Sequence, residues 1–359
     1  MQITEIARQF PIQGLPVECK EFGQGHINLT YYIETDVQCQ YILQRINQYV
    51  FRQPLQLMEN VFAITEYLRK DPHAGSVLQF LKTKNGCSCF QDPSGEYWRM
   101  YHFIPGQSME QATCSEDLYK CGLGFGHFQK LLANFPADTL HETIANFHNT
   151  PQRYVQFRDS LQADIAGRKK DVSVEIQYLL SMEERVSSLQ RMLDAGKLPL
   201  RVTHNDAKLN NLLFDADGQP ICVLDLDTVM PGLAMMDFAD AIRSGGSAAA
   251  EDEADLSKIS LDLERFSSYA QGFLESAFTL TTAEVQLLAE SALVITVEQA
   301  VRFLKDHLDG DVYFHIHYPG QNLIRARAQI KLAQDMQTKM DEMKQIIHKL
   351  WEKNIHDSK

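Results

Sequence analysis

The amino-acid sequence predicts an α+β protein with two unequal lobes, a small β-rich one followed by a larger and mostly helical one. Residues 17–104 hold most of the short β-branched and aromatic runs that are typical of strands. Beyond Gly106 the chain is dominated by amphipathic helical patterns with capping signals. A length of 359 residues is also long for a single hydrophobic core, which favours two lobes with a cleft between them.

The first lobe is predicted to be a sheet with one helix. Two β-rich runs flank a turn at Gly23-Gln24-Gly25, and a helix is predicted over residues 55–70 because apolar side chains recur on one face. Pro105-Gly106 ends the last β-rich run, so the lobes are predicted to be residues 1–104 and residues 105–359. The predicted strands lie within residues 17–35, 40–46, 76–83 and 96–104.

The second lobe is predicted from capping signals and helical periodicity. Thr113 and Glu116 have the spacing of a capping box, and so do Thr281 and Glu284. The last helical pattern, residues 332–351, carries an apolar stripe that we expect to pack against this lobe.

Composition excludes several kinds of partner. A formal net charge of -13 disfavours binding to nucleic acid, which requires a basic surface. Seven cysteines without framework spacing indicate reduced thiols and a cytoplasmic location. The N-terminal residues lack the features of a signal peptide, and no apolar run approaches the roughly 18 residues that span a bilayer. We therefore expect no nucleic-acid or membrane partner, and nothing indicates a protein partner.

One stretch, "RVTHNDAKLNNLLFDADGQPICVLDLDTVMPG" (residues 201–232), carries most of the reactive side chains. Asp206 is followed by Lys208 and Asn211, and two apolar runs joined by a turn then lead to Asp225. This is the order of a phosphotransferase catalytic loop followed by a metal-binding aspartate. Asp206 can orient and deprotonate a hydroxyl, and Lys208 can offset charge on a transferred phosphoryl group. Asn211 and Asp225 supply hard oxygen ligands of the kind that Mg²⁺ prefers.

A phosphatase is the alternative interpretation of the same stretch. "ICVLDLDT" also matches the apolar strand ending in D-x-D-x-T of haloacid-dehalogenase-type phosphatases, with Asp225 as nucleophile and Asp227 as acid/base. That fold would continue with alternating strands and helices, whereas the sequence after Pro231 is predicted to be helical. His204 is predicted to be a structural residue.

These residues resemble a known family. "THNDAKLNNLLF", "VLDLDTVMPG" and "MDFADAIR" resemble the aminoglycoside phosphotransferase and choline kinase superfamily, and within it the N-acetylhexosamine 1-kinases. The likeness extends through "FGQGHINLTYYI", "YILQRIN", "ETIANFHNTPQRY" and "RFLKDHLDGDVYF", in the same order, from about residue 10 to about residue 335. It implies a protein-kinase-like bilobal fold and Mg²⁺-dependent transfer of the ATP γ-phosphoryl group to the anomeric hydroxyl of N-acetylglucosamine or N-acetylgalactosamine.

The resemblance implies roles for single residues. Asp206 would be the catalytic base and contact the substrate, Asn211 and Asp225 would bind Mg²⁺, and Arg302 and Tyr313 fall where the family holds the sugar.

The resemblance also implies a nucleotide site. Gly23 and Gly25 would lie over the phosphates, backbone groups of Tyr101 to Phe103 would meet adenine, and Asp237 would brace the catalytic loop.

Two departures from the family pattern bear on these roles. Asn205 replaces the usual glycine or arginine after the histidine. The third strand, "YILQRI", has no lysine to grip phosphate, so Gln44 or Arg45 must take its place. Arg45 is favoured because it is charged, with Glu59 as a possible partner, but neighbouring residues of a strand point to opposite faces and the register could reverse this choice.

The catalytic-loop pattern together with this resemblance predicts a Mg²⁺- and ATP-dependent sugar 1-kinase. Only residues 226–236 separate Asp225 from Asp237, which is too short for a segment that docks a protein substrate. Two alternatives stay open: a kinase for another small hydroxyl compound, such as an aminoglycoside, an amino alcohol or a plain hexose, and a pseudokinase that senses a sugar. The presence of Asp206, with both predicted metal ligands, argues against the pseudokinase.

Overall fold

An antiparallel sheet opens the chain, and helices follow it. The computed structural model describes residues 1–23, 27–277 and 279–357. The predicted α+β class is confirmed, since the strands of the first lobe precede a second lobe that is mostly helical. Among the described residues, no helix combines the length and the apolar character needed to cross a membrane.

The first lobe is a sheet with strand order β1-β2-β3-β6-β4, in which β5 also pairs with β6 and all pairs are antiparallel. The predicted strands agree with the structure except at two places: only two residues of 76–83 form a strand, and β5 was not predicted. The elements are α1 (Ile3–Ala7), β1 (Pro16–Glu21), β2 (Leu29–Thr35), β3 (Gln40–Arg45), α2 (Pro54–Leu68), β4 (Phe80–Leu81), β5 (Phe90–Gln91) and β6 (Tyr97–His102).

The two faces of this sheet have different neighbours, because side chains alternate along a strand. One face carries Tyr41, Leu43, Trp98 and Met100, which pack on the N-terminal segment. The opposite face carries Gln44 and Arg99, which are paired across β3 and β6 and face the second lobe.

The two lobes share buried contacts. Met58 and Val61 of α2 belong to the same apolar cluster as Phe128 and Leu226 of the second lobe. Asn60 of α2 adds polar contacts, because its Nδ2 donates to the backbone carbonyls of His141 at 2.8 Å and Val229 at 3.2 Å. The sheet is therefore held directly above the segment that carries the predicted catalytic residues.

A glycine permits the close approach of the connector between the lobes. A Cβ on Gly106 would lie 2.6 Å from the Leu213 side chain and 2.9 Å from the Phe214 carbonyl oxygen, which no side chain tolerates. The next residue, Gln107, exchanges two backbone hydrogen bonds with Phe214. The connector thus places the end of β6 beside the hairpin described below.

Helices surround four short strands in the second lobe. The strands form two antiparallel pairs, β7 with β10 and β8 with β9. The elements are α3 (Ser115–Leu131), α4 (Thr150–Ala163), α5 (Ser173–Val186), α6 (Ser188–Asp194), β7 (Arg201–Thr203), β8 (Leu212–Phe214), β9 (Pro220–Val223), β10 (Met230–Gly232), α7 (Ala234–Gly245), α8 (Leu263–Ser276), α9 (Thr282–Asp309), α10 (Gln321–Thr338) and α11 (Met340–Asp357). Two-stranded antiparallel pairs rule out the sheet of a haloacid-dehalogenase-type phosphatase, so that alternative is wrong.

One of the two predicted capping boxes is confirmed and the other is wrong. The capping box of Thr281 and Glu284 is confirmed, with reciprocal hydrogen bonds at the start of α9. The capping box predicted at Thr113 is wrong, because α3 begins one residue later and Asp117 closes the box instead.

The last predicted helix is two helices that meet at Lys339. Its apolar stripe nevertheless packs on the second lobe as predicted, since Met336, Met340, Met343 and Ile347 are buried in that lobe's core.

Candidate active site

Asp206 lies in the loop between β7 and β8 and contacts two of its predicted partners. The side-chain nitrogen of Asn211 donates to the Asp206 backbone carbonyl at 2.8 Å and to its carboxylate at 3.0 Å. The Nζ atom of Lys208 lies 2.6 Å from Oδ1 of Asp206. The side chains of Lys208 and Asp206 are 37% and 27% exposed, so a ligand in the cleft can reach both.

The Asp206 carboxylate is held in its ionised form. Burial raises its pKa, but nearby positive groups, first of all the Lys208 ammonium, together outweigh burial and lower the pKa to about 2. Burial lowers the pKa of Lys208, whereas Asp206 and then Asp240 raise it above its ordinary value. A carboxylate with so low a pKa is a weak base, so its first contribution would be to orient a hydroxyl group that donates to it.

The β8–β9 hairpin brings Asn211 and Asp225 together, as the sequence predicts. Leu212 faces Val223 in the ladder, and the Leu224 amide donates to the Asn211 carbonyl at 2.8 Å. Asp225 follows immediately with φ 51° and ψ 61°, a left-handed conformation. For a residue other than glycine this conformation costs about 1–3 kcal/mol, a strain that clusters at functional sites.

The oxygen atoms around Asp225 fit a divalent cation. Burial raises the pKa of Asp225, and the carboxylates of Asp227 and Asp206 raise it further, to about 7. A cation would relieve this repulsion between carboxylates. Asn211 commits its nitrogen to Asp206, so its Oδ1 is the atom left for a metal.

Such a cation would need ligands from outside the protein. No group of three or more histidine, cysteine, aspartate or glutamate side chains in the described part of the chain could hold a metal. Nucleotide phosphates are suitable additional ligands, because Mg²⁺ is usually bound by one or two carboxylates together with substrate phosphates.

His204 and Asp237 fix the backbone of the catalytic loop. His204 is fully buried, with Nε2 2.8 Å from the Leu224 carbonyl and Nδ1 accepting from the Asp206 amide at 3.3 Å. Asp237 accepts from the amides of His204 at 2.9 Å and Asn205 at 2.7 Å. The structural role predicted for His204 and the bracing role predicted for Asp237 are confirmed.

The departure at Asn205 has a conformational explanation. Its φ is 63°, a left-handed conformation that glycine adopts freely and asparagine tolerates better than other residues. The Asn205 side chain also donates to the carbonyls of Thr203 at 3.2 Å and Thr228 at 2.9 Å. Asparagine therefore satisfies the backbone requirement and ties the loop to both neighbouring segments.

Arg99 on β6 is a site residue that the sequence analysis missed. Its guanidinium forms a buried bidentate ion pair with Asp227, in which Nη2 lies 3.0 Å from Oδ2. The Nε atom of Arg99 donates to Gln44 at 2.9 Å. Burial lowers the pKa of Arg99, but Asp227 and, more weakly, Asp225 raise it above its ordinary value. The available signal was a lone charge inside the aromatic strand "YWRMYH".

Arg45 is not directed toward this network. It lies on the same face of β3 as Tyr41 and Leu43, and its Nε is 3.8 Å from a carboxylate oxygen of Glu96. Glu59 pairs with His141 at 2.6 Å, so the expected Arg45–Glu59 pair is wrong. The register of β3 instead directs Gln44 toward the cleft. The sequence left this outcome open, because neighbouring residues of a strand point to opposite faces.

Arg302 lies among aromatic side chains beside the catalytic loop. Its guanidinium carbon is 5.3 Å from the Phe147 ring centre and 5.4 Å from that of Phe314, and its Nη1 donates to Gln299 at 2.8 Å. Tyr313 contacts Phe314 edge-on at 4.8 Å and is 45% exposed. The fold thus brings the two predicted sugar-binding residues to one aromatic cluster.

Arg153 adds a second cation to this cluster. Burial and then the charge of Arg302 lower its pKa to about 10, whereas Glu298 and Tyr313 act in the opposite direction. Its Nη2 donates to the Phe147 carbonyl at 2.7 Å. No local pattern predicts the position of Arg153, because α4 and α9 meet only in the folded chain.

His148 connects the aromatic cluster to the catalytic loop. One ring nitrogen is 2.9 Å from the Glu298 carboxylate and the other is 3.0 Å from the Asn205 carbonyl. Thr150 also donates to the buried Glu298, at 2.6 Å. Arg302 is therefore linked to the loop of Asp206 through Phe147 and its neighbour His148.

A comparison with known sequence families agrees with this geometry. A family model described as the phosphotransferase enzyme family matches residues 18–262. The chain belongs to this phosphotransferase family. The predicted superfamily is thereby confirmed at this level.

Solved structures of other phosphotransferases have similar folds. An aminoglycoside phosphotransferase from Alicyclobacillus acidocaldarius is 11% identical with a TM-score of 0.65, covering 97% of each chain. A microcompartment-associated aminopropanol kinase is 16% identical with a TM-score of 0.65, covering 95% of this chain and 97% of that one. A choline kinase from Cryptosporidium parvum is 13% identical with a TM-score of 0.58, covering 95% and 96%. At such identities the likeness establishes the fold, which is the predicted protein-kinase-like bilobal fold.

Some of the residues that are predicted to bind nucleotide in this phosphotransferase already form contacts within the first lobe. Gly23 has φ 75°, and Gly25 lies outside the described residues. Tyr101 is paired with Ile42 inside the sheet. The Phe103 amide donates to the Gln40 carbonyl at 3.1 Å, so this amide is already used within the first lobe.

A cavity of about 490 Å³ is lined partly by residues 219–223 of the β8–β9 hairpin, and Asp206 is not among its lining residues. Its walls are mainly apolar, with Leu78 from the first lobe and Leu131 and Val223 from the second. Because none of the predicted site residues lines it, we do not assign the phosphotransferase substrates to this cavity.

Proposed function

We propose that this phosphotransferase uses Mg²⁺ and ATP to phosphorylate the anomeric hydroxyl of an N-acetylhexosamine, giving the sugar 1-phosphate. The family supports phosphoryl transfer, and the loop of Asp206, Lys208 and Asn211 supplies the groups for it. The observation that carries the choice of acceptor is the pair of cations, Arg302 and Arg153, close to Tyr313.

This pair of cations favours a neutral, oxygen-rich acceptor. Two positive charges oppose the binding of an ammonium group, because like charges at short range are costly away from bulk water. The planar guanidinium of Arg302 presents several donors that suit hydroxyl and acetamido carbonyl oxygens. Tyr313, which is 45% exposed, carries a hydroxyl that can donate or accept a hydrogen bond.

The proposed reaction depends mostly on orientation and electrostatics. Asp206 accepts a hydrogen bond from the anomeric hydroxyl, orients it for in-line attack, and takes its proton late in the reaction. Lys208, which pairs with Asp206 here, can turn toward the transferred phosphoryl oxygens and offset their charge. Asn211 and Asp225 would hold Mg²⁺, which when bound neutralises the charge of the phosphates.

The test is ADP release from Mg²⁺-ATP with a panel of acceptors, followed by phosphorus NMR of any product. We expect turnover with N-acetylated hexoses and a phosphate that couples to the proton at C1. Phosphate on another hydroxyl would retain the mechanism and refute the acceptor. Binding of ATP without turnover on any acceptor would favour the sugar-sensing pseudokinase.

An amino alcohol is the second candidate acceptor, because a structure of similar fold is an aminopropanol kinase and another is a choline kinase. The same panel should include 1-amino-2-propanol, choline and an aminoglycoside. Arg302→Gln distinguishes the candidates further. If Arg302 binds a neutral sugar, this variant should raise KM for the sugar. Turnover of amines in place of N-acetylated hexoses by the wild-type protein would contradict the sugar assignment.

A further inference from the structure

Arg99 is a buried cation that joins the two lobes at the metal-binding segment. Its side chain is 3% exposed, and Asp227, its partner, is 2% exposed. Both guanidinium Nη atoms engage the Asp227 carboxylate, which stands two residues after Asp225. A fully buried charge pair is costly to desolvate and contributes little net stability, so its presence at this position points to function.

Gln44 connects Arg99 to the strand where a kinase-like phosphotransferase is expected to carry lysine. Gln44 and Arg99 face each other in the β3–β6 ladder. Gln44 accepts from Arg99 Nε at 2.9 Å and donates to Thr30 at 3.1 Å. The glutamine thus supplies no charge at this position but fixes the orientation of the neighbouring arginine.

Asp227 also receives a hydrogen bond from Asn28, the residue before β2. Nδ2 of Asn28 lies 2.6 Å from Asp227 Oδ2, and Oδ1 of Asn28 accepts from the Asn47 amide at 3.0 Å. One carboxylate is therefore shared by the sheet and by the start of β2. Both contacts restrain the backbone that presents Asp225.

We propose that Arg99, on β6, takes the place of the lysine that the third strand lacks. Through its ion pair with Asp227, Arg99 positions the loop of Asp225 and balances the negative charge of that loop, so that the loop can bind a magnesium-bound nucleotide. Arg99 is thus a positioning residue rather than a catalytic one. The inference rests on the proposed use of Mg²⁺ and ATP but not on the identity of the acceptor.

The charges around the loop support this assignment. Asp225 and Asp227 bring two carboxylates to one short segment, and Arg99 is the cation that contacts it directly. Arg45, the alternative, lies on the other face of β3 and is paired with Glu96. A cation held on the cleft face can act on the loop, whereas one on the outer face is separated from it by the sheet.

The test measures the affinity of Mg²⁺-ADP and of adenosine, without acceptor, for wild type and variants. Arg99→Gln should weaken Mg²⁺-ADP by about 10–100-fold, the usual effect of removing a group that orients a metal ligand. Adenosine, which has no phosphate and needs no metal, should keep its affinity within about twofold. Adding Gln44→Lys to Arg99→Gln should restore part of the Mg²⁺-ADP affinity, because the new lysine on β3 supplies a positive charge in place of Arg99.

Arg201→Gln is the matched control, because Arg201 forms a similar bidentate pair, but with the buried Glu284 rather than with a carboxylate of the Asp225 loop. It should lower thermal stability and leave both affinities unchanged. Where Arg99→Gln does not fold, Asp227→Asn replaces it, with the same selective loss of Mg²⁺-ADP affinity expected.

Three results would overturn the inference: equal weakening of both ligands by Arg99→Gln, unchanged Mg²⁺-ADP affinity in Arg99→Gln or its replacement Asp227→Asn, or loss of that affinity in Arg45→Gln alone. A wild-type protein that binds no Mg²⁺-ADP would instead refute the proposed function itself.

Discussion

The Asp237 carboxylate accepts hydrogen bonds from two consecutive backbone amides, those of His204 at 2.9 Å and Asn205 at 2.7 Å. Gln129 donates to the same carboxylate from α3. One side chain at the start of α7 therefore fixes the backbone immediately before Asp206. Because Asp237 is fully buried, water cannot replace these contacts when the carboxylate is removed.

We expect Asp237→Asn to lower kcat by about 10–100-fold, because a displacement of about 1 Å at a reacting group has effects of this size. The amide that replaces the carboxylate turns a donor toward another donor, so stability should also fall by about 1–3 kcal/mol. Steady-state kinetics and urea unfolding measure the two effects. Asp341→Asn, on the exposed start of α11, is the control. An unchanged kcat in Asp237→Asn would contradict the bracing role.

The left-handed backbone of Asn205 predicts an unusual order of stabilities. Asn205→Ala and Asn205→Gly both lose the side-chain bonds to Thr203 and Thr228. Alanine additionally pays the cost of a positive φ, about 1–2 kcal/mol, which glycine avoids. Urea unfolding should therefore show the glycine variant to be the more stable of the two. Equal stabilities, or a more stable alanine variant, would show that the backbone relaxes at this position.

Replacing the carboxylate of Asp206 should separate catalysis from nucleotide binding. Asp206→Asn removes the acceptor of the hydroxyl proton, so turnover should fall by a factor on the order of 10² to 10⁴. Mg²⁺-ADP affinity should be kept, because Asn211 and Asp225 remain. Turnover is measured by ADP release and affinity by calorimetry, with Asp217→Asn in the exposed hairpin turn as control. Full turnover in Asp206→Asn would refute the proposed mechanism.

Asp92, in the turn between β5 and β6, predicts acid sensitivity of the first lobe. Burial raises its pKa, but hydrogen bonds from Trp98, Ser94 and the Glu96 amide outweigh burial and lower it to about 2. A carboxyl whose pKa is lower in the folded than in the unfolded chain stabilises the fold above the unfolded value, about 4. That contribution is lost as the pH falls from about 4 to about 2.

Asp92→Asn should therefore destabilise the protein at pH 7, by about 1–3 kcal/mol, and make unfolding less dependent on pH between 4 and 2. Urea unfolding at pH 7, 4 and 3 measures both effects. Parallel pH profiles for Asp92→Asn and wild type would show that Asp92 does not cause the acid sensitivity.

Much of the candidate site could be predicted because its parts are close in the sequence. Asp206, Lys208 and Asn211 lie within one loop, and the hairpin that returns to Asp225 is signalled by two apolar runs around a turn. Hydrogen bonds over such short separations follow from local geometry, and the structure contains them. The helix termini were less predictable, because a shift of one residue, as at Asp117, changes which side chain closes the cap.

The long-range contacts could not be predicted from the sequence. Arg99 and Asp227 are 128 positions apart, and His148 and Glu298 are 150 apart. Nothing in either local pattern indicates its partner, because such pairs depend on how lobes and helices pack. The choice between Gln44 and Arg45 also depended on register, since a shift of one residue reverses every side chain of a strand.

The sequence by itself determined the fold class, the family, and the order of the residues that are predicted to act in catalysis and metal binding, because these follow from local spacing and hydrophobic periodicity. Tertiary structure alone decided that a buried arginine of β6 contacts the segment of Asp225, the predicted metal ligand, and that two arginines of different helices stand near the loop of Asp206. The physical reason is that charge pairing and burial act through space, whereas the sequence records only neighbours along the chain.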